Sequence, residues 1–157
     1  MQIELKPLKE EHAQISYKWR NDEDVWKYTG SKPNKKITLQ DELNWIREVL
    51  KRENEKRYAI IVNNQYVGNI QLTDITGETA QFHIFIGDKN FWGKNIGTVA
   101  TKLMLENAKK IKLKKIYLEV NKKNLSAIKV YEKNGFIQIK ENDSKIYMEL
   151  ELNLQEI

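Results

Sequence analysis

Residues 91–98 read Phe91-Trp92-Gly93-Lys94-Asn95-Ile96-Gly97-Thr98. Glycines in such a segment let the backbone bend tightly and aim several N–H groups one way. Where it opens a helix, the helix dipole adds partial positive charge at the same point, which suits an anion such as a phosphate. Lys94 adds a full charge. The segment is neither a P-loop, which ends Gly-Lys-Ser/Thr, nor a complete dinucleotide fingerprint. A purely structural strand–glycine–helix turn has the same composition. His83 offers a second kind of chemistry, since a neutral imidazole on a strand can receive a proton directly or through water. A satisfied structural histidine is the competing reading.

These residues need elements to position them. Residues 2–6 read as a strand ended near Pro7, and residues 9–20 as a helix. Asp22 caps a short second helix, and residues 30–34 form a loop by their turn residues. Thr38 opens a helix with Leu39, Leu43, Ile46 and Leu50 at helical spacing, and Thr38 with Asp41 makes an approximate capping box. From Arg57 the period changes to strand spacing. Residues 58–62 and 66–75 are strands joined by a tight turn at Asn63-Asn64, and residues 81–86 form a third. Residues 96–111 are helical, with Ile96, Ala100, Leu103, Met104, Ala108 and Ile111 on one face. A strand over 116–120, a helix over 124–134 closed by Gly135, and strands over 136–139 and 146–152 complete the chain. This order implies an α/β (α+β) architecture in one domain over residues 1–157, a mixed sheet with helices on its faces.

Composition narrows the chemistry. A chain of 157 residues suits one core, and its lack of cysteine excludes disulfides, thiolate nucleophiles and zinc fingers. Two histidines are too few for a histidine-built metal site, so no metal is expected. No run of about 18 apolar residues is present to span a membrane, and the first residues lack signal-peptide character, so a cytoplasmic location is expected. The net charge of +5 reflects a lysine-rich surface, clustered at Lys109, Lys110, Lys112, Lys114, Lys115, Lys122 and Lys123. No zinc or RNA-recognition motif accompanies it, and a small polyphosphate ligand accounts for it as well as nucleic acid would.

A second segment, residues 117–136, adds a pattern to the first. Residues 124–136 match Asn-x-x-Ala-x-x-x-Tyr-x-x-x-Gly-Phe through Asn124, Ala127, Tyr131, Gly135 and Phe136. Residues 92–97 match Arg/Gln-x-x-Gly-x-Gly/Ala, with Trp92 in place of Arg or Gln and Asn95 in place of the first glycine. With one helix and one strand between them, the two patterns resemble those of the GNAT superfamily of N-acetyltransferases. Asparagine tolerates a left-handed backbone better than most residues, which suits Asn95 to the loop.

The resemblance implies a GNAT fold, a sheet of about six to seven strands with a splay between the fourth and fifth, and acetyl-CoA as donor. It assigns the pantetheine arm to the backbone of Phe85 and Ile86. The pyrophosphate falls to Trp92, Gly93, Lys94, Asn95, Ile96, Gly97 and Thr98, and further cofactor contact to Asn124, Ala127 and Tyr131. Tyr131 stands at the general-acid position, with a core aromatic as the alternative. Glu119 resembles the base of one branch, and His83 is a second candidate.

The acceptor would be a small-molecule or peptide amine. Trp19, Arg20, Asn21 and Tyr28, with Trp26 beside them, could stack on and pair with a nucleotide-sugar or pack the helices; Trp45, among Leu43, Ile46 and Val49, reads as packing. Trp19-Arg20-Asn21-Asp22, the helix opening Thr38-Leu39-Gln40-Asp41-Glu42-Leu43, Val67-Gly68-Asn69-Ile70 and Asp74-Ile75-Thr76 also look like enzymes acting on nucleotide-linked amino sugars. Trp92-Gly93-Lys94 looks like the branch that acetylates ribosomal-protein N-termini. A non-catalytic CoA-binding or RNA-binding module is the reading from another class, and the resemblance also admits a homodimer through the C-terminal strands.

Overall fold

The computed structural model describes residues 1–27 and 32–152. Its strands are β1 (Ile3–Pro7), β2 (Lys56–Val62), β3 (Gln65–Thr73), β4 (Thr79–Ile86), β5 (Lys115–Asn121), β6 (Ile137–Glu141) and β7 (Lys145–Glu151). Its helices are α1 (Ala13–Arg20), α2 (Glu23–Trp26), α3 (Leu39–Val49), α4 (Ile96–Lys110) and α5 (Leu125–Lys133). The strands make one seven-stranded sheet in the order β1-β2-β3-β4-β5-β7-β6. Every neighbouring pair is antiparallel except β4 and β5.

Local signals account for most of these boundaries. Asn63 and Asn64 both take positive φ, 49° and 69°, as a two-residue hairpin turn between β2 and β3 requires. Asp22 caps α2 by accepting from the Asp24 N–H. Thr38 and Asp41 exchange both bonds of a capping box at the start of α3. Gly135 ends α5 with φ of 94°.

The sheet divides the core in two. Against α4 and α5 lies the larger part, with Ile60, Ile70, Leu72, Phe82, Met104, Ile116, Leu118 and Tyr131 among its buried residues. On the opposite face Trp19 packs with Ala59, Ile61 and Tyr66, while Ile46 packs with Leu8 and Ala13. The expected apolar stripe of α3 is rotated. Leu39 and Leu50 are exposed, and the buried face is Glu42, Ile46 and Val49. A carboxylate inside that face turns out to belong to the site. Likewise Ile111 is exposed, and Thr101 and Leu105 take places on the buried face of α4.

Candidate active site

The only parallel pair in the sheet is also its weakest seam. β4 and β5 pair only at Thr79↔Lys115, Ala80↔Ile116 and Gln81↔Tyr117. Beyond those residues β4 stays with β3 as far as Ile86↔Gly68, and β5 stays with β7 as far as Asn121↔Lys145. The strands therefore part at their C-terminal ends, as the family resemblance implied. The Gly87 N–H donates to Val67 O at 2.8 Å. By antiparallel alternation the backbones of Phe85 and His83 also face β3, while those of Ile84 and Ile86 face the gap. The Phe85 carbonyl accordingly crowds the place a Cβ on Gly68 would occupy. The gap edge of β4 is thus presented by Ile84 and Ile86, whereas the Phe85 backbone belongs to the β3 ladder. The Ile86 carbonyl already accepts from Trp92 Nε1 at 2.7 Å, so Trp92 braces the strand end.

Next to the gap lies the glycine turn. Gly93 has φ of 73°, and Asn95 stands at the N-cap of α4 in the left-handed region with φ 65° and ψ 13°. None of the six N–H groups of residues 93–98 has an acceptor among the described residues, and the Asn95 side chain makes no cap. Six bare donors with the helix dipole behind them form an anion cradle built from Gly93, Lys94, Asn95, Ile96, Gly97 and Thr98. The cradle is tied to α5 by Asn134, whose Nδ2 donates to Thr98 O at 3.3 Å and Val130 O at 3.0 Å. Asn124 caps α5, its Oδ1 accepting from the Ala127 N–H at 3.3 Å. That bond places Ala127 against the core and leaves the Asn124 amide NH₂ free among the described residues.

A cavity of about 330 Å³ opens between the parted strands. Tyr131, His83, Glu119 and Asn124 all line it. Tyr131 is 6% exposed, set edge-on to Phe82 at 6.0 Å and to Phe136 at 5.8 Å. Its hydroxyl has no partner among the described residues, and burial pushes its pKa upward, so it is a neutral phenol. His83 and Glu119 stand level on one sheet face, each two residues past the last β4–β5 pair, Gln81↔Tyr117. Burial, then the nearby Arg57 charge, lowers the His83 pKa against the opposing pull of Asp74 and Glu55. Its imidazole is therefore neutral near pH 7, with Nε2 3.0 Å from Thr73 Oγ1. Among the described residues no cluster of three or more His, Cys, Asp or Glu is placed to hold a metal ion.

The far wall comes from α1, α2 and α3. Trp19 is buried, packed on Tyr66 at 4.7 Å and edge-on to Phe85 at 5.9 Å, with its ring over Gly87, where no Cβ would fit. The guanidinium of Arg20 donates to Glu42 Oε1 at 2.8 Å, and Ser16 Oγ donates to Glu42 Oε2 at 2.6 Å. Both oxygens of this 1%-exposed carboxylate are thus committed. Trp45 has guanidiniums on its ring from Arg20 at 5.3 Å and Arg57 at 5.2 Å. It packs against Ile46 as expected and lines the cavity as well. Asn21 does not join the site. Its amide accepts from Ile37 N and donates to Ile37 O, both at 2.8 Å, pinning the segment before α3 to the end of α1. Tyr28 lies outside the described residues. Glu42, Asn69, Gln71, Asn121 and Lys145 also line the cavity and were given no site role from sequence. The only signal for Glu42 was a charge spaced four and seven residues from Ile46 and Val49 on their helix face.

A seven-stranded sheet parted beside an anion cradle, with a buried tyrosine in the gap, agrees with the family model that matches residues 2–137, described as an acetyltransferase (GNAT) domain. The chain belongs to the GNAT acetyltransferase family. It is 27% identical over 137 residues to spermidine N(1)-acetyltransferase of Escherichia coli, covering 85% of this chain and 72% of that protein. It is 28% identical over 150 residues to acetyltransferase PseH of Campylobacter jejuni, covering 92% and 90%. The fold superimposes with a TM-score of 0.85 on spermidine N-acetyltransferase from Vibrio cholerae in complex with CoA and spermine, at 20% identity over 96% of this chain and 95% of that one. The chain also spans 28% of the length of an uncharacterized Methanocaldococcus jannaschii protein, to which it is 25% identical over 144 residues. Among the described residues no helix of this GNAT chain is long and apolar enough to cross a membrane.

Proposed function

We propose that this GNAT acetyltransferase moves the acetyl group of acetyl-CoA to a primary amine on a nucleotide-linked amino sugar. The observation that carries the acceptor class is the charge of the cavity wall. Glu42 spends both oxygens on Arg20 and Ser16, so among the described residues Glu119 is the one uncommitted carboxylate lining the cavity, beside Lys145 and the N–H groups that Arg20 does not give to Glu42. A polyamine carries several positive charges and needs several acids to replace its hydration. A single amine joined to a phosphate matches this wall better, with its amine at His83 and Glu119 and its anion toward Arg20. Trp45 and Trp26 give that wall its aromatic lining.

Acetyl-CoA, when bound, supplies the activated thioester. In this reading the bare N–H groups of residues 93–98 hold its pyrophosphate, and the edge presented by Ile84 and Ile86 lines the pantetheine path. An amine with a pKa of about 10 must first lose a proton. The neutral imidazole of His83 takes that proton, with Glu119 the competing base. Tyr131 keeps its own proton because burial raises its pKa, so it donates a hydrogen bond to the sulfur as negative charge develops there. Asn95 supports an intact cofactor cradle, because it takes the left-handed conformation that a glycine would supply.

Thiol release from acetyl-CoA, measured against UDP-linked amino sugars, peptides with free N-termini, spermidine and an aminoglycoside, tests the proposal. Turnover concentrated on the UDP-linked amines is the expected result. Turnover confined to spermidine would overturn the acceptor class, and turnover confined to peptides would favour the N-terminal branch that Trp92-Gly93-Lys94 resembles.

A further inference from the structure

The imidazole of His83 is held at one nitrogen. Nε2 meets Thr73 Oγ1 at 3.0 Å, and Nδ1 has no partner among the described residues. Thr73 ends β3, where it pairs with Gln81, while His83 pairs with Gln71. The threonine is therefore the diagonal neighbour of the histidine on one sheet face, within reach of a ring but not of a shorter side chain.

A neutral imidazole has one donor and one acceptor nitrogen, and a hydroxyl can serve either. If Thr73 donates to Nε2, the proton sits on Nδ1 and no lone pair is free. If Nε2–H donates to Thr73, the Nδ1 lone pair is bare. Only the second arrangement gives a base, and it also keeps a donor bond in place once the ring is charged. We propose that Thr73 is a positioning residue that holds His83 as the Nε2–H tautomer, making Nδ1 the atom that takes the acceptor's proton. The inference rests on His83, not Glu119, being the base of the proposed reaction. In the step, the N–H bond of the ammonium breaks and an Nδ1–H bond forms. The amine keeps the electron pair with which it attacks the thioester carbon, and the imidazolium returns its proton to solvent as product leaves.

The charges around the ring are Arg57 from β2, Asp74 and Glu55 from the loops beside it, Glu119 across the gap, and the Arg20–Glu42 pair from α1 and α3. A hydroxyl bond that fixes the tautomer works among these charges without adding one.

Because the chain has only two histidines, nitrogen NMR of ¹⁵N-histidine-labelled protein reads the tautomer directly. Loss of one signal set in His83→Gln assigns the ring. His12 is the other, its Nδ1 accepting from Lys9 N at 2.9 Å. The expected spectrum of His83 is that of an Nε2–H tautomer, lost or mixed in Thr73→Val and kept in Thr73→Ser. Thr73→Val is expected to lower kcat by about 10-fold, part of the about 100-fold or more that a general base is worth, with KM for acetyl-CoA unchanged and Ser restoring the rate. An Nδ1–H tautomer in the parent protein would overturn the proposal, as would an unchanged tautomer in Thr73→Val. Undiminished turnover in His83→Gln would overturn it by another route, moving the base to Glu119. The NMR readout needs no acceptor, so it stands even if the acceptor class is wrong.

Discussion

Phe82 and Phe136 wall in the ring of Tyr131, and nothing in the described chain binds its hydroxyl. A phenol with a buried ring, its hydroxyl unpartnered and opening on the cavity, gains most from a ligand atom that develops charge. Tyr131→Phe removes one oxygen and preserves the aromatic packing. It is expected to lower kcat by about 100-fold, the usual cost of one well-placed donor, while leaving the dissociation constant of acetyl-CoA within about twofold. Calorimetry and steady-state rates on the same sample check both parts. Equal loss of binding and turnover would return Tyr131 to the core.

At the scale of elements, the parallel seam between β4 and β5 and the turn into α4 carry the chemistry. Their order and the left-handed demand at Asn95 were legible, because hairpin turns, caps and glycine stops are local signals. The acceptor wall was not. Glu42 lies on a stripe that reads as apolar, and its meaning depends on Arg20 and Ser16 of another helix, 22 and 26 residues away. Asn21 errs the other way, since its amide is spent on the Ile37 backbone, which no spacing reveals. Nor does strand periodicity tell that the backbones of Ile84 and Ile86, and not that of Phe85, face the gap. For Asn95 the backbone gives a sharp test. A β-branched residue at φ 65° costs about 1–2 kcal/mol, and the strain falls where the cradle begins. Asn95→Val is expected to weaken acetyl-CoA binding by at least about tenfold, whereas Asn95→Gly retains it; equal affinity in both variants would mean the cradle does not need that conformation.

For the molecule as a whole, partly burying two histidines has a cost that pH exposes. His12 and His83 are the only histidines, and both have pKa values lowered chiefly by burial. Below the unfolded value of about 6.5, the unfolded chain binds protons at both positions and the folded chain does not until its lower pKa values are reached. More protons on the unfolded state means that stability rises with pH in that window, so it falls as pH drops through it. Each histidine can contribute a slope of at most about 1.4 kcal/mol per pH unit, less for His12, which keeps more contact with water. Above pH 7 both are neutral in either state and this slope vanishes. Urea unfolding of the intact chain at pH 7.5, 6.5 and 5.5 is expected to show a midpoint that holds over the first step and drops over the second. His83→Gln should flatten part of that drop, because an amide keeps a polar group near Thr73 without a titrating proton. A drop of the same size in His83→Gln would assign it to His12 and to carboxylates such as Asp41, whose bonds to Thr38 hold its pKa low. The two pH effects of His83 then oppose each other. The burial that keeps the ring neutral and able to accept a proton near pH 7 is also what makes the fold lose stability in mild acid.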